Sequence, residues 1–526
     1  MSTFSGLETA KRAIATQQSA LYTTGHNIAN ANTLGYSRQT IDFQATNAFP
    51  TASMNSPVIA GQVGTGVEVG SIQRYRDSFL DSQYRQQSTD LGYWSSQATG
   101  LHRMEEVLNE PSDYGLSNVL NQFWSSLGDL ATNPDDNAAR RVVLERGQAV
   151  ADTFNYLDDQ LNVNKKNIGT QINNTEVEVN SLLNQINDLN SQIAKMEASG
   201  YLPNDLYDQR DMLVDDLSEH VNIKVSYTSS GGLSPASAQG KVTIELLDDQ
   251  NKSMAFLVNG SVDRVNQIKV NMDDTQSYVT NIEVGRMNEQ GTFVSEKQFT
   301  MEEFTSKGSL LGHIYNFGYT EDATATEVEV KGAYPEMISE LNLLAYEFAN
   351  AFNEVHSQGW NLEDIKNGEK GEEINFFDLD SISDPTNAAK NIKLSSDINA
   401  DRIAAALPGE DGIAYAGNGD NALLLADVKD MELTFGSQES SVMDYYQGMI
   451  GKMGVQTSEA VRLGSNSAMV LESIQLNRSS VSSVSLDEEM VNLIQFQQAF
   501  NAASRNMTAV DEMLDTIING MGLVGR

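Results

Sequence analysis

The 526-residue chain is several times the length of one ordinary domain, so it has room for more than one core. Its 72 acidic and 34 basic residues give a net charge of −38, which argues against nucleic acid or an anionic membrane as main partner, since phosphate binding needs clustered Lys and Arg. The absence of cysteine excludes disulfides, thiolate metal sites and cysteine nucleophiles, and no apolar run is long enough to predict membrane insertion as a helix.

Met1–Ala31 has no short apolar block before a cleavage site, so a conventional secretory signal is not expected. Leu7, Ile14, Leu21 and Ile28 recur every seventh residue. Their companions Ala10, Gln17, Thr24 and Ala31 are small or polar. One narrow apolar stripe suits a helix completed by a partner helix. Asn32 and Gly35 supply its stop, because both tolerate the left-handed conformation.

Ile168, Ile172, Thr175, Val179, Leu182, Ile186, Leu189, Ile193 and Met196 alternate steps of four and three, the mark of a packed helix. Gly200 and Pro203 end it, and Leu206, Leu213, Leu217 and Val221 sit on a returning helix. The period then changes to two: Val242, Ile244 and Leu246 alternate with Lys241, Thr243 and Glu245. Asn259-Gly260 predicts a two-residue turn between Met254–Val258 and Ser261–Val265. Ile282 with Val284, and Val328 with Val330, predict further strands. Ile338, Leu341, Ala345, Phe348, Phe352 and Val355 predict another bundle helix. The acidic, glycine-bearing stretch 361–421 reads as surface.

At the C-terminus, Leu486, Leu493, Phe500, Met507, Leu514 and Met521 form one seven-residue series, and Glu489, Phe496, Ala503, Val510, Ile517 and Val524 form a second. Eleven of the twelve are apolar, so the segment predicts a coiled-coil assembly helix, with an ordinary core helix as the alternative.

The expected fold is mainly α with a β insert: an elongated multidomain protein with its terminal coiled-coil helices paired, a helical bundle, and a distal β-rich domain. The expected segments are an N-terminal assembly helix and turn (1–60), a bundle segment (61–221), the β-rich insert (222–330), a returning bundle helix (331–360), a loop-rich outer region (361–421), a returning bundle segment (422–480) and the C-terminal assembly helix (481–526).

No chemistry rises above background. His26, His102, His220, His313 and His356 show no metal-ligand spacing, and no nucleophile elbow is present. Gly417-Asn-Gly419-Asp-Asn-Ala422 matches a dinucleotide fingerprint only in outline; Asp420 as the cap of a helix over 421–429 is the preferred reading. No catalytic residue, cofactor or metal is expected.

Ser19–Gln39, with Asn27, Asn30, Gly35, Tyr36 and Arg38, resembles the N-terminal signature of the bacterial flagellar rod, hook and hook-associated proteins. Ser485–Arg505 resembles their C-terminal signature. Leu34 stands where many members have proline, which leaves the turn to Gly35. Gly64–Asp77 and Asn204–Ser218 resemble the hook-associated members that join hook to filament.

The resemblance implies a structural adaptor of the flagellum rather than an enzyme, secreted through the flagellar export channel to the hook–filament junction and needed for filament assembly and motility. It implies the hook protein and a second hook-associated protein as partners, self-association in a helical ring, and an export chaperone. The assembly seam is expected at Leu7, Ile14, Leu21, Ile28, Leu486, Leu493, Phe496, Phe500, Met507, Val510, Leu514 and Ile517. The alternatives are a hook or rod subunit of the same family, or a secreted enzyme or adhesin with flagellar-type export termini.

Overall fold

The computed structural model describes residues 4–520, apart from 51–53, 55–59, 111, 113–114, 289, 324, 326–327, 380–383 and 410–411. The expected seam positions Met521 and Val524 lie outside the described residues.

The chain runs through helix α1 (Ser5–Ala29), hairpin strands β1 (Gln39–Ala45) and β2 (Val67–Arg74), then α2 (Ser78–Leu108), α3 (Leu116–Thr132), α4 (Asn137–Ala198) and α5 (Asn204–His220). Strands β3 (Ile223–Thr228), β4 (Lys241–Leu247), β5 (Ser253–Asn259), β6 (Arg264–Val265), β7 (Gln267–Met272), β8 (Val279–Met287) and β9 (Phe293–Thr300) follow. Helices α6 (Ser309–Phe317), α7 (Ala333–Gln358), α8 (Leu362–Asn367), α9 (Ala388–Asn391), α10 (Asp420–Asp427), α11 (Val442–Ser482) and α12 (Leu486–Asp515) complete the main elements. The fold is mainly α with a β-rich insert.

These elements form two compact units. The first comprises Met1–Ser88, Val179–Gln267 and Ala468–Arg526; the second comprises Thr89–Glu178 and Ile268–Ser467. Helices α2, α4 and α11 contribute residues to both.

In the first unit, α1 and α12 pack together, and the β1–β2 hairpin lies against α1. Gly200 ends α4 with φ +88°, a conformation a side chain would resist. Strands β3 to β6 form an antiparallel sheet in chain order. Its Val242, Ile244 and Leu246 are buried, as are Leu183, Ile186 and Ile193 of α4.

In the second unit, Phe123 of α3, Phe348 and Phe352 of α7, and Phe376 and Phe377 form an aromatic core, with ring centroids 5.2 Å apart for Phe123–Phe352 and 4.9 Å for Phe376–Phe377. The stretch 361–421, expected at the surface, thus supplies core side chains, and Ile392, Ile403 and Ala405 are also fully buried. Its short pieces are stitched down by side-chain bonds: both Asn353 Oδ1 bonds go to the backbone N–H groups of Phe376 and Phe377, at 2.9 Å each. The polar composition that reads as surface belongs to the residues between these anchors.

Other expectations are corrected. The β-rich stretch ends at Thr300, gives way to helix α6, and divides into a four-stranded and a three-stranded sheet. Val328 and Val330 form no strand; the nearest pairing is an isolated bridge between Tyr319 and Lys331. Asn259 still pairs with Arg264, so the turn spans 260–263, with Asp263 at φ +49° supplying the left-handed residue. Asp420 does not cap α10 through its side chain. Instead Asn418 Oδ1 accepts the Asp420 N–H at 3.1 Å and the Leu407 N–H at 3.0 Å, tying the loop before the helix.

Candidate functional site: the root of the terminal helix pair

Two contacts define how α1 and α12 meet. Asn27 Nδ2 donates to Glu489 Oε2 at 3.2 Å. A methyl group at Gly6 would sit 3.4 Å from Val510 Cγ2. Twenty-one residues separate the two contact points on each helix, so the pair is antiparallel in constant register. That register sets Leu493 opposite Thr23, Phe496 opposite Ala20, Phe500 opposite Thr16, Ala503 opposite Ala13 and Met507 opposite Thr9. The residues of α1 at these levels are Gly6, Thr9, Ala13, Thr16, Ala20, Thr23 and Asn27, alternating steps of three and four, and of these Thr16 also turns its hydroxyl to the Val67 carbonyl of β2 at 3.2 Å. The register thus sets large residues of α12 level with small ones of α1, a pattern that allows close approach of two helices.

The expected seam residues divide accordingly. Leu493, Phe496, Phe500, Met507 and Val510 are half-buried, and Leu514 is buried. Leu486 and Ile517 are exposed. Leu7, Ile14, Leu21 and Ile28 are half-buried and sit one position round from the facing stripe, on the flank of the contact. Reading hydrophobicity alone missed the small-residue stripe; its alternating steps were the available signal.

The signature residues converge at the root of the pair. Asn27 is 1% exposed and uses every polar atom. Nδ2 donates to Glu489 and to the Gln39 carbonyl, and Oδ1 accepts from the Tyr36 hydroxyl at 2.8 Å and the Gln39 N–H at 3.0 Å. Arg38 donates to Glu489 Oε1 at 2.8 Å and to Glu488 Oε2 at 2.7 Å, while its backbone N–H bonds the Ser482 carbonyl at 2.9 Å. Asn30 Nδ2 donates to the His26 carbonyl at 3.1 Å, closing the end of α1. Burial, then the carboxylates of Asp205, Asp208 and Glu489, push the Tyr36 phenol well above its usual range, so it stays a neutral donor. Gly35 takes φ +77°, and a methyl group there would come within 2.0 Å of Met212 Sδ.

Helix α12 begins where this site needs carboxylates. Ser485 Oγ accepts the Glu488 N–H, and Asp487, Glu488 and Glu489 occupy the first turn, where the helix dipole favours negative charge.

A buried ionic network continues from the same root. The Ser37 N–H donates to Asp208 at 3.1 Å. Arg74 pairs with Asp208 at 2.6 Å and Asp211 at 3.0 Å, and Arg76 with Asp81 at 2.7 Å and Asp211 at 3.2 Å. Arg85 pairs with Asp215 at 2.8 Å, and Arg478 pairs with both Asp81 and Asp215. Burial opposes the charge on Asp211, but Arg74, Arg76, Arg210 and Arg85 outweigh it and hold the carboxyl below its usual range. The network joins the β1–β2 hairpin, the start of α2, α5 and the end of α11. Its charged pairs cross-link these four segments. Among the described residues no cluster of His, Cys, Asp and Glu could hold a metal ion, and no helix is long and apolar enough to cross a membrane.

Both paired chain ends fall in segments that match families of flagellar proteins. Residues 7–36 match the family model of the flagella basal body rod protein, and residues 477–520 match the C-terminal family model of the flagellar basal body rod FlgEFG proteins. Residues 101–377 match the helical domain of the flagellar hook-associated protein FlgK. Flagellar hook-associated protein 1 of Bacillus subtilis (strain 168) is 46% identical over 528 residues, covering 100% of both chains. That of Salmonella typhimurium is 25% identical, covering 95% of this chain and 97% of its own. The structure of the flagellar hook junction protein FlgK from Burkholderia pseudomallei shares the fold, with TM-score 0.59 and 15% identity over 76% of this chain and 100% of that one. The chain belongs to the flagellar hook-associated protein 1 family.

Proposed function

We propose that this chain is a structural component of the bacterial flagellum, placed at the junction between hook and filament and required for the filament to grow. The observation that carries the reading is the full-length match to the Bacillus subtilis relative, which spans terminal helices and middle segments alike. On this reading the protein works by packing and catalyses nothing.

The terminal helices support the assembly part of the reading. Beside the face that α12 turns to α1, Met490, Val491, Ile494 and Met513 are 58%, 63%, 55% and 64% exposed. Apolar side chains left open along a helix in this way suit burial against neighbouring subunits. A groove of about 450 Å³ adds to this surface, lined by Thr9, Phe49, Val63, Asn506 and Val510 among others. The partners are the hook protein on one side, a second hook-associated protein on the other, and further copies of this chain in a helical ring. An export chaperone covers the apolar C-terminal helix before assembly, and the subunit leaves the cell through the flagellar channel.

Gold-labelled antibody against this chain, viewed by electron microscopy on whole flagella, tests the placement. Label confined to the boundary of hook and filament supports it. Label along the rod, along the hook, or absent from flagella overturns it.

A further inference from the structure

The heptad seam that joins α1 and α12 does not by itself define their register. Seven residues along, the small stripe of α1 repeats and so does the large series of α12. A slip of seven residues would set Phe496 opposite Ala13 instead of Ala20, and Phe500 opposite Thr9 instead of Thr16. Large would still face small. The exception is Glu489, the one polar member of the α12 series, buried at 2% exposure. In the observed register it meets Asn27 and Arg38. A slip one way carries it to Ala20, among Thr16, Gln17, Thr23 and Thr24, where α1 offers no cation to pair its charge; a slip the other way sets Asn27 against Phe496. Either leaves a buried polar group without its partner, whose cost is far larger than that of shifting one methyl against another.

We infer that Glu489, held by Asn27 and Arg38, is the residue that fixes the register of the terminal helix pair, the role a single polar position plays in other helix pairs. Glu489 thereby positions every other seam contact without contributing to their apolar packing. The inference rests on geometry within one chain and stands or falls apart from the flagellar reading.

The absence of cysteine from the chain makes the test clean. One full-length chain carries Gly6→Cys with Val510→Cys, which reports the observed register. A second carries Gly6→Cys with Ala503→Cys, which reports a slip of seven residues. Each is oxidised at low concentration and the cross-linked monomer is read on a non-reducing gel. With Glu489 present only the first pair closes. With Glu489→Leu the second pair gains cross-linked monomer to at least a tenth of the first, whereas Glu489→Gln, which keeps a bond to Asn27, leaves it closed to the slip. The double variant Asn27→Val with Glu489→Leu removes both halves of the pin, so that slippage can be read where Asn27 left alone would disturb folding. Exclusive closure of the first pair in both Leu-bearing chains overturns the inference. Loss of helix in both, read by circular dichroism, overturns it too, because Glu489 would then be needed for the helices themselves rather than for their register.

Discussion

Arg38 and Glu489 are joined by a 2.8 Å charged hydrogen bond across 451 residues of chain. That bond ties the turn after the first helix to the first turn of the last. Neither residue is near the other until the chain has passed through both compact units and returned. The closure of the two ends is therefore a property of the whole fold, and it can be broken from either side.

Removing Arg38 should cost more than neutralising Glu489. Arg38→Ala leaves a buried carboxylate with Asn27 alone, and breaking a buried ion pair on one side typically costs about 3–5 kcal/mol. Glu489→Gln keeps the shape and one hydrogen bond, so about 1–2 kcal/mol is expected. Urea unfolding followed by far-ultraviolet circular dichroism measures both; equal losses would contradict the assignment of Glu489 as a charge that needs its partner.

Gly35 should tolerate no side chain. Gly35→Ala places a methyl group within 2.0 Å of Met212 Sδ, in a residue at φ +77°. The backbone conformation costs about 1 kcal/mol for an L-residue and the clash adds to it. Met212→Ala in the same chain should relieve the clash and leave the backbone cost. A double variant no more stable than Gly35→Ala, after subtracting the effect of Met212→Ala alone, would contradict this.

The second unit should lose stability in mild acid through His356. Its ring is buried, Nδ1 lies 2.8 Å from the Ile374 carbonyl and Nε2 accepts the Ala404 N–H at 3.1 Å, which makes the neutral ring with its proton on Nδ1 the bonded form. Burial pushes its pKa down from 6.5 to about 4. Because the folded value lies below the unfolded one, the contribution is fully present above pH 6.5 and is lost as pH falls through about 4. The full loss is on the order of 3 kcal/mol. Proton NMR of the imidazole through a pH titration checks it; a midpoint near 6.5 in the folded chain would contradict the burial argument.

A charge in the seam should block assembly without unfolding the middle of the chain. Leu493→Asp or Phe500→Asp places a carboxylate on the line where α12 meets α1. An unpaired charge on that half-buried line opposes the packing of the two helices. Incorporation into flagella should be lost, while the second unit keeps its thermal transition. Normal filaments in cells carrying Leu493→Asp would contradict the seam assignment.

Salt should ease assembly. With a net charge of −38 per subunit, like-charge repulsion opposes stacking, and added salt shortens its range. Light scattering of the purified chain from low to high ionic strength should show association rising with salt; no change would mean that long-range repulsion is unimportant here.

The terminal helices were legible because a seven-residue repeat survives in the sequence whatever it packs against. Glu489 was visible as the exception in that repeat, but its purpose was not, since Asn27 and Arg38 lie more than four hundred residues away. The facing stripe of α1 was hidden for a different reason. Gly6, Ala13 and Ala20 carry little hydrophobic signal, and Leu7, Ile14 and Leu21 beside them draw the eye. The arginine–aspartate network was spread over four segments, each of which reads as an ordinary charged surface. Val328 and Val330 alternate like a strand, yet pairing needs a neighbour, and only Lys331 finds one in Tyr319.

Electron microscopy of cells lacking this chain, with flagellin measured in the medium, reads the junction role itself. A junction component predicts hooks without filaments and flagellin shed into the medium, both reversed when the chain is restored. Filaments of normal length in its absence would contradict the account, and missing hooks would move the chain to an earlier stage of assembly.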